Sequence, residues 1–187
     1  MALTGATGQI YGIRALELLA ETAFESHLIL SDAAKVNIAH ETSYSPVEIT
    51  EKADTVHDVK NIGATIASGS FHTEGMIICP CSMKTLSNIA VGNSGNLITR
   101  ASDVTLKERR PLILMPREKP FNRIHLDNML KATDAGAIIY PPFPSFYQLN
   151  ESADLEEMIT RTMARALTYL GADHVIEEWD GIGVDHE

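Results

Sequence analysis

Short, continuous apolar runs recur along this chain, and most are followed by a longer stretch with helical spacing. The runs are Ala2-Leu3-Thr4, His27-Leu28-Ile29-Leu30, Met76-Ile77-Ile78-Cys79, Pro111-Leu112-Ile113-Leu114-Met115 and Ala137-Ile138-Ile139-Tyr140. A strand that is apolar at every position is buried on both faces, and parallel neighbours need crossover connections, usually helical. The pattern therefore predicts an α/β fold: a three-layer, Rossmann-like or flavodoxin-like parallel sheet with helices on both faces. The 187 residues suit one domain spanning 1–187, with enough chain to bury a sizeable core.

Helices are expected at Ile10–Glu21, from about Asp32, at Lys84–Ala90, at Ala101–Arg109 and at Ile124–Ala135, the last closed by Gly136. In the first of them Ile13, Leu16, Leu19 and Ala20 face inward. The last helix, about 154–170, has the clearest period. Leu155, Met158, Ile159, Thr162, Met163, Ala166, Leu167 and Leu170 share one face, Asp154 with Glu157 fits a capping box, and Gly171 ends it. A C-terminal tail, 171–187, follows. The stretch Ser45–Ile66 has no clear period and yields no element.

Composition narrows the function. A net charge of −10 argues against a general nucleic-acid binder, which rests on a basic footprint, but leaves room for a local cationic pocket. No apolar run has the length of a membrane-spanning helix, and MALTGATG lacks a signal-peptide pattern, so a cytoplasmic protein without membrane attachment is expected. Cys79 and Cys81 are one residue apart, too close for an ordinary disulfide, and no second cluster completes a zinc site. Buried, reduced thiols are expected, and the seven scattered histidines give no metal-binding pair.

In an open parallel sheet, ligands bind at the carboxyl ends of the strands. The turns there are Gly5–Gly8, Ser31-Asp32, 79–85, 116–118 and 141–147. They carry glycines, hydroxyls, Lys84, Arg117 and Glu118, and they head helices whose N-terminal amides suit phosphate. The glycine-rich first turn is also compatible with the tight connection any such fold needs. A nicotinamide site is disfavoured: Gly5, Gly8 and Gly12 give GxxGxxxG instead of GxGxxG, and no tyrosine has a lysine four residues on. Asp32 could reach a ribose, but Ser31 holds the strand end before it.

Three strings are more specific: ASGSFHTEGMIICPCSMKTL (67–86), RASDVTLKERRPLILMPRE (100–118) and IHLDNMLKATDAGAIIYPPFPSFY (124–147). In this order, behind a TGATGxxYG start, they closely resemble the UbiX-type flavin prenyltransferases. The resemblance runs from about Leu3 to Leu170. Around His40-Glu41-Thr42 and Trp179-Asp180-Gly181 it is most like the branch associated with aromatic-acid decarboxylase systems. It implies transfer of a dimethylallyl group from dimethylallyl monophosphate to reduced FMN, adding a fourth ring to the flavin without a metal. The product, prenylated FMN, would serve a UbiD-type decarboxylase. The family commonly forms dodecamers with active sites at subunit junctions, so a homo-oligomer is implied, in which Tyr147 and Arg165 close a neighbour's pocket.

By position in the matching motifs, Gly5, Ala6, Thr7, Ser31, Ser82, Met83, Lys84, Thr85 and Arg117 would contact FMN. Arg100, Lys107, Arg117, Tyr147 and Arg165 would hold the prenyl phosphate, because ionising an allylic phosphate without magnesium needs several cationic or hydrogen-bonding groups around the leaving group. Glu118, Lys107, Thr7 and Glu41 would act in catalysis, Glu118 as the acid or base beside the phosphate. On residue pattern alone, Lys84, Lys107 and Glu41 equally fit solvated helix positions, and Cys81 fits a small packing residue.

The chain departs from the family pattern in several places. Thr7 stands where serine is common, keeping the hydroxyl on a stiffer rotamer. The match starts several residues into the family's usual first strand, so either a short first strand or a true start further upstream is expected. Ser152 is followed by Ala153-Asp154 before the Leu-Glu-Glu stretch, and Arg161, one turn before Arg165, is an alternative final arginine. No aromatic residue lies in 62–66, so Tyr147, Phe146 or Trp179 would line the prenyl pocket. The competing readings are a flavin-dependent decarboxylase of a cysteine-derived or aromatic acid, and a non-enzymatic FMN carrier.

Overall fold

The computed structural model describes residues 1–146 and 154–172. Six strands, β1 (Ala2–Leu3), β2 (His27–Leu30), β3 (Thr55–His57), β4 (Met76–Cys81), β5 (Leu112–Pro116) and β6 (Ile138–Ile139), form one sheet in the order β3-β2-β1-β4-β5-β6. Every pairing is parallel. The described helices are α1 (Gln9–Ala20), α2 (Asp32–Glu41), α3 (Pro46–Thr50), α4 (Met83–Ala90), α5 (Leu97–Lys107), α6 (Arg123–Asp134) and α7 (Leu155–Thr168), with a 3₁₀ turn at Thr65–Ala67. The chain winds outward from β1 to β3, then returns to the other side of β1 for β4. That reversal puts the topological switch point between β1 and β4.

Alternation along the two longest strands builds the layers. Met76, Ile78, Leu112 and Leu114 face one way, into a core with Leu86, Ile89, Leu97, Ile98 and Ala132 from α4, α5 and α6. Ile77, Cys79, Ile113 and Met115 face the other way, against α1 and α7 through Ala15, Leu19, Met163 and Leu167. A third cluster, with Leu3, Ile13, Leu16, Leu28, Leu30 and Ile38, seats α1 and α2 over β1 and β2. This is the three-layer arrangement the apolar runs predict. No described helix is long and apolar enough to cross a membrane.

The differences from the sequence reading are local. The aperiodic stretch 45–66 holds α3, β3 and the 3₁₀ turn, each too short to show a period. At α3, Ser45 and Glu48 form a capping box around Pro46. β4 does not end before Pro80 but runs on to Cys81 across a register shift. A proline cannot donate to the ladder, yet its carbonyl still takes the Thr4 amide at 3.2 Å. α5 begins at Leu97, four residues ahead of the expected Ala101, because Asn96 and Thr99 cap each other reciprocally. At α7, Asp154 accepts from the Glu157 amide at 2.9 Å, which is one half of the expected box.

Both thiols are buried, as the sequence suggests, and burial pushes the Cys81 thiol up to about 12 and that of Cys79 higher still. At the edge where the strands begin, Arg110 donates to the carbonyls of Gly69 and Phe71, both at 2.9 Å, and so pins the loop entering β4. Nearby, Nδ1 of His27 lies 2.8 Å from Nε2 of His57, with the rings stacked and Phe71 edge-on to His27. Burial lowers both histidines below their ordinary value. At His27, Glu25 opposes this, the terminal ammonium adds to it, and Asp54 opposes it. At His57, His27 and the ammonium both add to it.

Two predictions follow from this packing. Because both histidines bind protons less readily folded than unfolded, the stability they contribute is complete above the ordinary value of 6.5 and is lost as pH falls below it. The urea midpoint should drop over that range, and a His57→Gln variant should flatten the dependence; an unchanged slope contradicts the assignment. A Cβ at Gly12 would lie 2.3 Å from the Cys79 carbonyl oxygen and 2.7 Å from Leu3 Cγ. Gly12→Ala should therefore cost about 1–3 kcal/mol in urea unfolding despite alanine's better helix propensity, and a more stable variant contradicts this reading.

Candidate active site

The turns after β1, β2, β4 and β5 open at one edge of the sheet, around the switch point. Gly5 packs so closely under α2 that a Cβ would lie 2.5 Å from Ala33 Cβ, which explains why no side chain is placed there. Gly8, with φ +94, is left-handed, a conformation glycine adopts without strain, and it heads α1. Ser31 ties β2 to β1 through its amide, 3.1 Å from the Leu3 carbonyl, and caps α2 by accepting from the Ala34 amide at 3.1 Å. Ser82 caps α4 in the same way, accepting from the Thr85 amide at 3.3 Å and donating to the Thr85 hydroxyl at 3.1 Å. Met83 packs against the core, while Lys84 is exposed.

Beside this crevice, Thr7, Gly8, Tyr11, Arg117, Glu118, Lys119, Pro142 and Phe143 line a cleft of about 280 Å³. The Arg117 amide binds the Cys81 carbonyl at 3.2 Å, which sets where its side chain leaves β5. Among the described residues, no carboxylate pairs with the Arg117 guanidinium. Glu118 is exposed, and one of its oxygens accepts from the Lys119 amide at 3.0 Å. Burial holds the Tyr11 phenol above its usual value; the neighbouring Cys79 adds to this and the Arg117 charge opposes it. The cleft thus offers a guanidinium, a carboxylate, a hydroxyl and a phenol within one small volume. Such a set can hold an anion and move a proton beside it.

Glu41, the last residue of α2, reaches the same place. Its Oε2 accepts from the amides of Gly8 at 2.7 Å and Gln9 at 3.2 Å, so the carboxylate sits on the first turn of α1 beside Thr7. Sequence reasoning did not single out Gln9, Asn37, Tyr11 or Lys119. Gln9 is fully buried, with its Nε2 donating to the Thr4 and Ala6 carbonyls at 2.8 and 2.7 Å, and Asn37 donates to the Ala6 carbonyl at 3.1 Å. These side chains fix the turn from below. The expected first helix began at Ile10, one residue after Gln9, so no pattern in the sequence marked either side chain.

Within one chain, the rest of the expected clamp lies elsewhere. Arg100 donates to the Ala67 carbonyl at 3.2 Å and pairs with Asp103 at 2.8 Å. Lys107 ends α5 and pairs with Glu108 beside Gly69, at the edge where β4 and β5 begin. The length of β5, about 16 Å for five residues at strand rise, separates that edge from Arg117. The Arg165 guanidinium lies over the Tyr169 ring, 5.6 Å from its centroid, and Arg161 pairs with Glu157 at 3.0 Å. Tyr147 lies outside the described residues, as do Ser152, Ala153 and Trp179.

A second cavity of about 280 Å³, lined by Met1, Phe24, His27, Phe71 and Leu170 among others, opens at the edge where the strands begin. It faces away from the helix N-termini and capping hydroxyls, so the chemistry is assigned to the switch-point edge.

A family model described as Flavoprotein matches residues 1–164. The flavin prenyltransferase UbiX of Neisseria meningitidis serogroup B is 46% identical over 183 residues, covering 97% of this chain and 96% of that protein. The solved structure of AnUbiX (PadA1), in complex with FMN and dimethylallyl pyrophosphate, superposes with a TM-score of 0.89 at 43% identity, over 96% of each chain. A dodecameric FMN-dependent Ubix-like decarboxylase from Escherichia coli O157:H7 gives a TM-score of 0.89 at 42% identity, over 97% of this chain and 100% of that one. The fold, the switch-point crevice and this likeness over nearly the whole length agree: the chain belongs to the flavoprotein family and, within it, to the UbiX-type flavin prenyltransferases.

Proposed function

We propose that this chain joins the dimethylallyl group of dimethylallyl monophosphate to reduced FMN, giving prenylated FMN. One observation carries the reading. Arg117 and Glu118 emerge together from β5 into a cleft shared with Thr7, beside the β1/β4 crevice, in a chain 46% identical to a flavin prenyltransferase. The crevice fits FMN. Gly5 lets α2 pack directly against the first turn through Ala33, and the capped starts of α2 and α4 present amides and the hydroxyls of Ser31, Ser82 and Thr85. Gly5, Ala6, Thr7, Ser31, Ser82, Met83, Lys84 and Thr85 would hold it, with Arg117 facing both ligands.

Reduced FMN supplies the nucleophilic ring, and the protein does the rest. The allylic C–O bond breaks with its electron pair leaving on the phosphate, while carbon from the five-carbon unit bonds to the flavin. The Arg117 guanidinium can pair with two phosphate oxygens and meet the charge that grows on them. Glu118, the next residue, gives or takes the proton that accompanies departure of the phosphate and closure of the new ring. Glu41 and Thr7, held on either side of the Gly8 amide, are the second proton-handling pair. Cleft walls from Tyr11, Pro142 and Phe143 keep the prenyl group over the flavin and out of water.

The remaining clamp comes from other copies of the chain. Arg100 and Lys107 are anchored away from the Arg117 cleft, so in a homo-oligomer, a dodecamer by family likeness, they enter a neighbour's cleft, as do Tyr147 and Arg165. The product passes to a UbiD-type decarboxylase in the cytoplasm.

Incubating the protein anaerobically with reduced FMN and dimethylallyl monophosphate should raise the flavin mass by one five-carbon unit; an unchanged flavin rejects the reading. Release of carbon dioxide from a hydroxybenzoate by the purified protein alone would favour direct decarboxylation. Lys107→Ala and Arg117→Ala should each lower kcat by about 10²–10³, the scale of losing one charge-stabilising group. Co-expressed in one cell, the two variants should form mixed oligomers that regain activity neither has alone. Absence of recovery, with mixed assembly verified by mass, contradicts donation of Lys107 between copies.

A further inference from the structure

The two turns that flank the switch point are joined by one side chain that the proposed mechanism does not use. Thr4, the residue after β1, is 1% exposed. Its hydroxyl donates to the Pro80 carbonyl at 2.8 Å and accepts from the Ser82 amide at 2.7 Å. Its own amide donates to the same Pro80 carbonyl at 3.2 Å, and its carbonyl accepts from the Ala6 amide at 2.9 Å and from Gln9 Nε2 at 2.8 Å. Five hydrogen bonds therefore meet at one residue.

The position explains why a hydroxyl is needed. Between Ile78 and Cys81 the β4 register shifts, and Pro80 has no N–H to give its neighbours. On the side facing β1, the ladder pairs β4 only at Ile78, so it does not fix the backbone just before Ser82, where α4 begins. The Thr4 hydroxyl takes over by holding the Pro80 carbonyl inside the irregularity and the Ser82 amide just beyond it. A valine would fill the same volume but strand the Ser82 amide, and a hydroxyl buried without partners would itself be costly, so the residue type matches this bracing use.

We propose that Thr4 is a positioning residue: its buried hydroxyl sets the gap between the Gly5–Gly8 turn and the Ser82–Thr85 turn, and so the affinity for reduced FMN. This rests on the reading that both turns grip one FMN molecule. Gln9 and Asn37 extend the brace by fixing the Ala6 carbonyl from the other side.

The test compares Thr4→Val with Thr4→Ser in the full-length, assembled protein. FMN affinity is read from flavin fluorescence, and KM for reduced FMN and for dimethylallyl monophosphate are read separately. Thr4→Val should weaken FMN binding at least tenfold and raise KM for FMN, leave KM for the prenyl donor near the wild-type value, and keep the circular dichroism spectrum. Thr4→Ser should restore binding to within a few fold. A folded valine variant with wild-type FMN affinity overturns the proposal, as does a serine variant as weak as valine. Should valine prevent folding, Thr4→Cys against Thr4→Ser compares a poor and a good hydrogen-bonding group of similar shape, and equal affinities overturn it. Failure of the wild-type protein to bind FMN would instead reject the functional reading on which the proposal stands.

Discussion

The fold depends on the parallel pairing of β1 with β4. β1 has two residues, Ala2 and Leu3, yet it is the strand from which the chain winds first one way and then the other. Every apolar layer is built outward from that pairing, and the crevice exists because the turns after the two strands diverge there. Gly12 lets α1 lie directly on this seam, against Leu3 and the Cys79 carbonyl, and Thr4 closes its upper end. The core and the binding edge therefore share one set of contacts. A change that loosens the seam acts on stability and on the crevice together.

Charge is arranged to suit an anionic substrate on an acidic protein. The chain carries −10 overall, but Arg117 and Lys119 are concentrated at the cleft, and helices α1, α2 and α4 all start at the same edge of the sheet. The Glu41 carboxylate on the first turn of α1 shows that these amides attract negative charge in this fold. Arg100, Lys107, Arg161 and Arg165 are each engaged locally, with Asp103, Glu108, Glu157 and the Tyr169 ring. Pairs of that kind on the surface contribute little stability, so breaking them, as the proposed exchange for a phosphate between copies requires, costs little.

Most of the architecture was legible in the sequence because buried parallel strands must be apolar throughout. His27–Leu30, Met76–Cys79 and Leu112–Met115 announce themselves for that reason, and α7 does so by its period. The stretch 45–66 was unreadable because α3, β3 and the 3₁₀ turn are three to five residues long. Thr7, Ser31, Ser82, Arg117 and Glu118 could be placed at the binding edge because each follows a strand. Lys107 and Arg100 could be named only by family resemblance, and the proposal that they act between copies concerns contacts that no linear pattern encodes. Thr4 and Gln9 were missed because a threonine at a strand end or a polar residue in a helix is common. Only the Pro80 irregularity across the seam gives Thr4 its meaning.

The central claim is that FMN lies in the β1/β4 crevice with a second phosphate held by Arg117. A crystal structure of the assembled protein with FMN and dimethylallyl monophosphate tests this most directly. The account predicts the flavin between the Gly5–Gly8 and Ser82–Thr85 turns, with the prenyl phosphate on the Arg117 guanidinium and the Lys107 ammonium of another copy beside it. A flavin seated at the edge where the strands begin, or a prenyl phosphate without contact to Arg117, would contradict it.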